Sequence, residues 1–465
     1  MEKDKNFDVV VIGGGPGGYV AAIHAAKAGK IVALVEKNAL GGICLNWGCI
    51  PTKALLHDAE ILHLVKSAGK YGIEIDNYTV DFRKIIRRSR SVAKRLSKGV
   101  EYLLKKNNIT HLKGVAQFKT ATEVEVTTED DKSLLKTKNV IIATGGRNRE
   151  LPGLETDGQR LISYREAMTL KKPPQKMIII GAGAIGVEFA TLYHEFGTEV
   201  HLVEMLPRIL PLEDEEISTA LDSSLRKRGI SILVSSRVEK IDVLKTKVKV
   251  HLSTRQRKEV LEGDVALVAV GIRANIEDLG LESLGIKIEN GWIAADKYQR
   301  TSIEGIYAIG DVIGPPLLAH VASAEGRIAA AHLCGSNPIP IDYQSIPACT
   351  YSRPQVASIG MTEAAAIEAG HELKIGRFPM RASGKAMAQD DTDGFVKMIF
   401  DTKYGELLGC HIIGPEATEL IAEVATAKML EATYEEIVTT IHAHPTIAEA
   451  IMEAAADAYG EAVHI

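Results

Sequence analysis

Cysteine is scarce in this sequence: there are five in 465 residues, Cys334, Cys349 and Cys410 stand singly, and only Cys44 and Cys49 are close. Neither sign of charge dominates, since 55 Lys and Arg face 60 Asp and Glu for a formal charge of −5. A general attraction to nucleic acid or anionic lipid is therefore not expected. Long uncharged runs are missing too; those present are broken by glycine and fall short of a bilayer span. The opening "MEKDKNFDVVVIGGG" lacks the apolar stretch and small-residue cleavage site of a secretory signal, and the Arg- and Ser-rich, acid-poor character of a transit peptide. Together these absences lead to an expected cytoplasmic location. Thiols are kept reduced there, and a close cysteine pair is more often catalytic or metal-bound than structural.

What is present is an ordinary globular composition, 46% hydrophobic and 25% charged, in a chain long enough for about three domains. Within it one pattern occurs twice. "FDVVVIGGGPGGYVAAIHAAKAG" at 7–29 and "KMIIIGAGAIGVEFATLYHEFG" at 176–197 each run from a β-branched stretch through a glycine turn into helical character. Gly13, Gly15 and Gly18 in the first, and Gly181, Gly183 and Gly186 in the second, fit G-x-G-x-x-G in the strand-turn-helix setting that makes the motif specific. The first glycine makes the turn, the second lets backbone approach a pyrophosphate, and the third brings helix onto strand. The phosphates then meet amides of the helix N-terminus. Glu36 and Glu204 each stand 23 residues after their first glycine, at the end of a second strand. A carboxylate there accepts from a ribose diol and repels a 2′-phosphate. Two matched copies point to two bound dinucleotides.

Between and beyond the copies, "NVIIATGG" at 139–146 and "TSIEGIYAIGDV" at 301–312 are expected strands ending in turns, the second at Gly310 and Asp311. Residues 83–106 are basic with apolar positions at helical spacing. They form an expected amphipathic helix whose charge is more simply a solvated face than a docking stripe. "TEVEVTTEDDKSLLKT" alternates like a hairpin. After "SNPIPIDYQSIP" near residue 340, strands precede Ala- and Glu-rich helices expected at 415–435 and 446–459. These give an α+β unit with faces suited to a subunit interface.

The chemistry concentrates in "GGICLNWGCIPTK", residues 41–53. Residues five apart on a regular helix point about 140° away from each other. Cys44 and Cys49 can therefore bridge only where the backbone is irregular, which Gly48 and Pro51 allow. Pro51 suits a first helical turn, so Cys49 falls near a helix N-terminus, where the dipole favours thiolate. A redox pair is the favoured role. A metal site would need further ligands at recognisable spacing, and none stands out, so no metal is expected; inert thiols are the other alternative.

In combination and order, the two dinucleotide motifs, the cysteine segment, "TSIEGIYAIGD" and the late "HAHPTIAE" resemble the flavin-dependent disulfide oxidoreductases along essentially the whole chain. The similarity is greatest to members that oxidise dihydrolipoyl groups with NAD⁺. The resemblance implies an α/β protein with two Rossmann-like domains, FAD-binding at 1–147 and NAD-binding at 148–272. A central domain at 273–340 and a dimerisation domain at 341–465 complete it. It implies FAD held by Gly13, Gly15, Gly18, Glu36, Lys53, Thr144, Gly145, Asp311, Ala319 and His320. NAD would be held by Gly181, Gly183, Gly186, Glu204 and Gly271; Arg208 is a single charge nearby. Cys44 and Cys49 would be the redox disulfide, Lys53 and Glu188 an ion pair beside the flavin, and His444 a base oriented by Glu449. His442 would be a bystander. The expected partners are a second copy of the chain and lipoyl-bearing proteins of 2-oxo acid dehydrogenase or glycine-cleavage systems. The segment departs from the common family motif at Ile43, Trp47 and Thr52 without losing a reacting atom. Glutathione and mercuric reductases share the cysteine motif. Glu204 stands where the first usually has basic residues, and the closing "AYGEAVHI" lacks the vicinal cysteines of the second.

Overall fold

The computed structural model describes residues 5–254 and 257–465, so residues 1–4 of the charged opening lie outside it. The first unit runs β1 (Lys5–Ile12), α1 (Pro16–Lys27), β2 (Val32–Glu36), α2 (Gly42–Trp47), α3 (Cys49–Ser67), α4 (Phe82–Lys106), β3 (Thr110–Lys113), β4 (Val115–Thr120), β5 (Glu123–Thr127) and β6 (Lys132–Ile142). Its sheet is ordered β3-β2-β1-β6-β5-β4, with β1 parallel to both neighbours. Val9, Val10 and Val11 are fully buried, as a central parallel strand covered on both faces requires. The expected hairpin is β5 against β6, with Glu123 opposite Lys136 and Thr127 opposite Lys132. The basic helix is α4, capped by the Asp81 side chain, which accepts from the Lys84 amide.

A short β7 (Gly146–Asn148) leads to the second unit: β8 (Leu161–Ile162), α5 (Tyr164–Ala167), β9 (Lys176–Ile180), α6 (Ala184–Glu195), β10 (Glu199–Val203), α7 (Glu215–Arg228) and β11 (Ser231–Leu233). A meander of β12 (Arg237–Val243), β13 (Val248–Ser253) and β14 (Lys258–Gly263) precedes β15 (Val265–Val268). The parallel sheet is ordered β11-β10-β9-β15-β8. The chain returns through β16 (Ile272–Ala274), which pairs antiparallel with β7, so the strands entering and leaving this unit lie side by side.

Next come α8 (Leu281–Leu284), β17 (Ile288–Glu289), β18 (Trp292–Ile293), β19 (Ile306–Ala308) and α9 (Ala319–Leu333). β19 joins the first sheet parallel to β6, and α9 packs along α1. The final unit contains β20 (Ala348–Thr350), β21 (Gln355–Gly360), α10 (Glu363–Glu368), β22 (Leu373–Pro379), α11 (Gly384–Gln389), β23 (Phe395–Asp401), β24 (Leu407–Gly414), α12 (Ala417–Met429), α13 (Tyr434–Thr439) and α14 (Glu449–Asp457). Its antiparallel sheet is ordered β20-β21-β24-β23-β22. The helix expected over 415–435 is two: α12 stops at Met429, and Thr433 starts α13 in a capping box with Glu436. The helix expected from 446 begins at Glu449, whose side chain instead accepts from the Thr446 amide at 2.8 Å. No helix among the described residues is long and apolar enough to cross a membrane.

Candidate active site

The two glycine turns are built alike down to single atoms. A Cβ on Gly18 would lie 1.9 Å from the Gly13 oxygen and one on Gly186 1.9 Å from the Gly181 oxygen, so these third glycines are required by helix packing. A Cβ on Gly15 would meet only Gly42 Cα at 4.0 Å, and one on Gly183 nothing within 4 Å. Each second glycine therefore faces open space at the N-terminus of α1 or α6, a cradle that fits a pyrophosphate. Glu36 Oε2 accepts from the Gly14 amide and Glu204 Oε2 from the Ala182 amide, both at 2.7 Å. Each carboxylate is thereby held over its turn with capacity left for ribose hydroxyls. Gly271 has φ +111° and open space where a Cβ would be, on the turn after β15.

Gly48, with φ −144° and ψ −114°, separates α2 from α3, which places Cys44 on one helix and Cys49 at the first position of the next. The two thiols are free and interact with each other. That interaction is the largest influence on both: it holds Cys44 far above the usual thiol range and lowers Cys49, aided by the Lys53 ammonium against the effect of burial. Of the pair, Cys49 is thus the one stabilised as a thiolate. One turn along α3, Lys53 Nζ binds both oxygens of Glu188 at 2.7 and 2.8 Å. Nothing near Lys53 in sequence announced Tyr351: its ring lies 4.4 Å from Nζ and its amide donates to Glu188 Oε1 at 3.1 Å.

Asp311 sits in a single 3₁₀ turn after β19. Burial raises its pKa, against the pull of its own amide, and no other side chain among the described residues bonds it. A half-buried carboxylate without a side-chain partner suits a hydroxyl-bearing chain such as a ribityl group. The neighbouring strand meets it at Gly146, where an added Cβ would lie 3.4 Å from Asp311 Cβ, and just before it Thr144 is held by Asn275: the Thr144 hydroxyl donates to the Asn275 oxygen at 2.7 Å, and Asn275 Nδ2 to the Thr144 oxygen at 2.9 Å. Ala319 opens α9, and His320, its pKa lowered by burial, meets the Pro347 oxygen through Nε2 at 2.9 Å. Asn275 and Tyr351 went unnoticed in the sequence because their partners lie more than a hundred residues away.

His444 Nδ1 is 2.9 Å from Glu449 Oε1, and its side chain is 78% exposed in the single chain. Burial raises Glu449, but the Thr446 amide and His444 outweigh it and leave the carboxyl below its usual range. The ring is fixed from one side with Nε2 open. The side chain of His442, expected as a bystander, is 5% exposed and holds Nε2 at 2.7 Å from Glu423.

A family model described as pyridine nucleotide-disulphide oxidoreductase matches residues 7–326, and one for the dimerisation domain of the same proteins matches 346–455. The chain is similar to proteins named dihydrolipoyl dehydrogenase. It is 48% identical to that of Zymomonas mobilis over 99% of both chains, 46% to that of Chlorobaculum tepidum over 97% of both, and 44% to one of Bacillus subtilis over 98% of this chain and 99% of the relative. Among solved structures, LpdA of Mycobacterium tuberculosis superposes with a TM-score of 0.90 at 28% identity, covering 97% of this chain and 99% of its own. The HOCl-induced flavoprotein disulfide reductase RclA of Escherichia coli, in its Cu(II) complex, superposes with 0.88 at 29% identity over 98% and 99%.

Proposed function

Since the chain belongs to the pyridine nucleotide-disulphide oxidoreductase family, we propose that it carries out the reaction its full-length relatives are named for. It is an oxidoreductase that uses FAD and NAD, oxidises dihydrolipoamide carried on a protein, and reduces NAD⁺ to NADH. On this reading residues 1–147 hold FAD, 148–272 hold NAD, 273–340 are central and 341–465 join two copies of the chain. The enzyme works in the cytoplasm on the lipoyl-bearing proteins of a 2-oxo acid dehydrogenase or glycine-cleavage system.

His444, with Glu449 fixing its ring, takes the proton from one dihydrolipoyl thiol, because thiolate is the nucleophile. That thiolate attacks Cys44 Sγ in the oxidised pair; the Cys44–Cys49 bond breaks, and Cys49 leaves as the thiolate its surroundings favour. The second substrate thiol, once deprotonated, displaces Cys44 and closes the lipoyl disulfide, so two electrons remain on the cysteine pair. FAD, when bound, would supply the two-electron chemistry that links the cysteine pair to NAD⁺. Gly13, Gly15, Gly18 and Glu36 would hold its nucleotide, Thr144, Gly145 and Asp311 its sugar chain, and Lys53, Ala319 and His320 its ring system. Lys53 is kept in place by Glu188 and Tyr351. Gly181, Gly183, Gly186, Glu204 and Gly271 would hold NAD.

The observation that carries this proposal is the interacting Cys44–Cys49 pair on the two sides of the Gly48 break, with Lys53 one turn along α3 and Asp311 close enough to act on Cys44. Anaerobic dithionite titration of the purified holoprotein should consume about four electron equivalents per FAD, and about two in Cys44→Ser or Cys49→Ser, with both variants inactive toward dihydrolipoamide. Uptake of only two by the wild type, or NADPH-linked reduction of glutathione disulfide in place of dihydrolipoamide oxidation, would sink the proposal.

A further inference from the structure

Helix α4 carries ten Lys and Arg against one Glu in a chain that is acidic as a whole. Its charges are not spread evenly. Arg83, Arg87, Arg90, Lys94, Lys98 and Lys105 follow one another at steps of three, four or seven, which aligns them along one face. Arg83, Lys94, Lys98 and Lys105 are exposed and have no ion-pair partner among the described residues, and Arg87 reaches only Asp81 at 3.9 Å. Like charges at i and i+4, such as Arg83 with Arg87 and Lys94 with Lys98, work against a helix, and on this face only Glu101, three residues after Lys98 and four before Lys105, offsets them. Solvation alone would be served as well by a mixed face.

The stripe also leads to the chemistry. Arg90, in its middle, lies 4.1 Å from the Trp47 ring and donates to the Asn46 oxygen, both in the segment between Cys44 and Cys49. Ser97 donates to the Leu40 oxygen at 2.7 Å, just before α2. Arg165 of α5 covers Trp47 at 5.3 Å and extends the positive surface. The helix lies outside the segment matched by the dimerisation family, residues 346–455.

We propose that the Arg83–Lys105 face of α4 is a docking rail for an acidic surface of the lipoyl-bearing protein, steering its dihydrolipoyl arm toward Cys44. This rests on the proposed activity and adds the recognition of the carrier protein. Free dihydrolipoamide has no acidic surface and gains nothing from the rail, so the two substrates separate the proposals.

The test compares wild type with Lys94→Gln/Lys98→Gln and Arg83→Gln/Lys94→Gln/Lys98→Gln, whose side chains are exposed and outside the cysteine segment. The probes are free dihydrolipoamide and a purified, dihydrolipoylated lipoyl domain of net negative charge. The rail predicts an about tenfold lower kcat/KM for the domain in the triple variant at low salt, a weaker fall of kcat/KM between about 50 and 200 mM salt, and free dihydrolipoamide turnover within about twofold of wild type. Equal losses on both substrates, or none on the domain, would overturn it. So would conversion of the variants to monomers, which would make the stripe a subunit contact, or loss of DNA binding with domain kinetics unchanged, which would make it a nucleic-acid surface. If wild type oxidises neither substrate, the activity itself is wrong and the rail falls with it.

Discussion

Glu204 illustrates how much a single residue can decide. Its carboxylate is held by the Ala182 amide at 2.7 Å and the Leu206 amide at 2.8 Å, so it cannot swing away from a ligand placed on the second glycine turn. A 2′-phosphate would meet that fixed charge in a largely buried position. Glu204→Gln keeps the shape and an amide oxygen but removes the repulsion. The NAD⁺ over NADP⁺ preference in kcat/KM should narrow by about 1 to 3 kcal/mol, with dihydrolipoamide KM unchanged. Similar preferences in wild type and variant would show that another group selects the coenzyme. Residues of this kind were legible because their meaning is set by spacing within about thirty positions, as for Gly13 with Glu36 and Cys44 with Cys49. Tyr351 over Lys53 and Asn275 on Thr144 were not, since no local pattern encodes contacts made only when distant strands assemble. The surroundings of His442 were hidden for the same reason: its partner Glu423 comes from α12.

Between elements, the loop entering α7 meets β21 through a carboxyl that burial dominates. Glu213 is pushed up to about 7 by desolvation, with a hydrogen bond from Ser358 opposing and the neighbouring Asp214 adding to the rise. A carboxyl whose folded pKa lies above its unfolded value stabilises the fold below the unfolded pKa, near 4.5, and loses that contribution as pH rises to the folded value. Between about pH 4.5 and 7 the loss amounts to about 3 kcal/mol. Glu213→Gln stays uncharged throughout, so its thermal midpoint should gain on wild type from pH 5 to about pH 7 and level off by pH 8. A constant difference across that range would mean that Glu213 is ionised in the folded protein. Cys349, raised to about 11 by burial and then by Glu213, should ionise more easily in the variant. The elements themselves were mostly legible, because α4, the β5–β6 hairpin and the two glycine-turn units repeat a period or a motif. What escaped was termination: α12 stops at Met429 because Thr433 and Glu436 cap a new helix, a signal masked by uniformly helix-favouring composition.

At the scale of the whole molecule, one chain contains every group of the proposed mechanism but does not bring them together. Cys44 and Cys49 lie between the first unit and Tyr351, whereas His444 projects from the last unit with its side chain 78% exposed and Nε2 unbound. On the proposed mechanism, this oriented base, facing outward in a segment matched by a dimerisation family, would have its target on the other subunit. A His444→Gln homodimer should therefore lose about 10²- to 10⁴-fold in dihydrolipoamide oxidation, the usual worth of general acid–base catalysis, while NADH still reduces the protein. A Cys44→Ser homodimer should be inactive as well. Refolded together with different affinity tags, the two give heterodimers in which one site pairs intact Cys44 with intact His444 and the other lacks both. Tagged heterodimers recovering about half of wild-type turnover would show that each site is assembled from two chains, since neither parent has a complete one. Heterodimers that form but remain as inactive as the parents would mean that His444 serves the cysteines of its own chain or none.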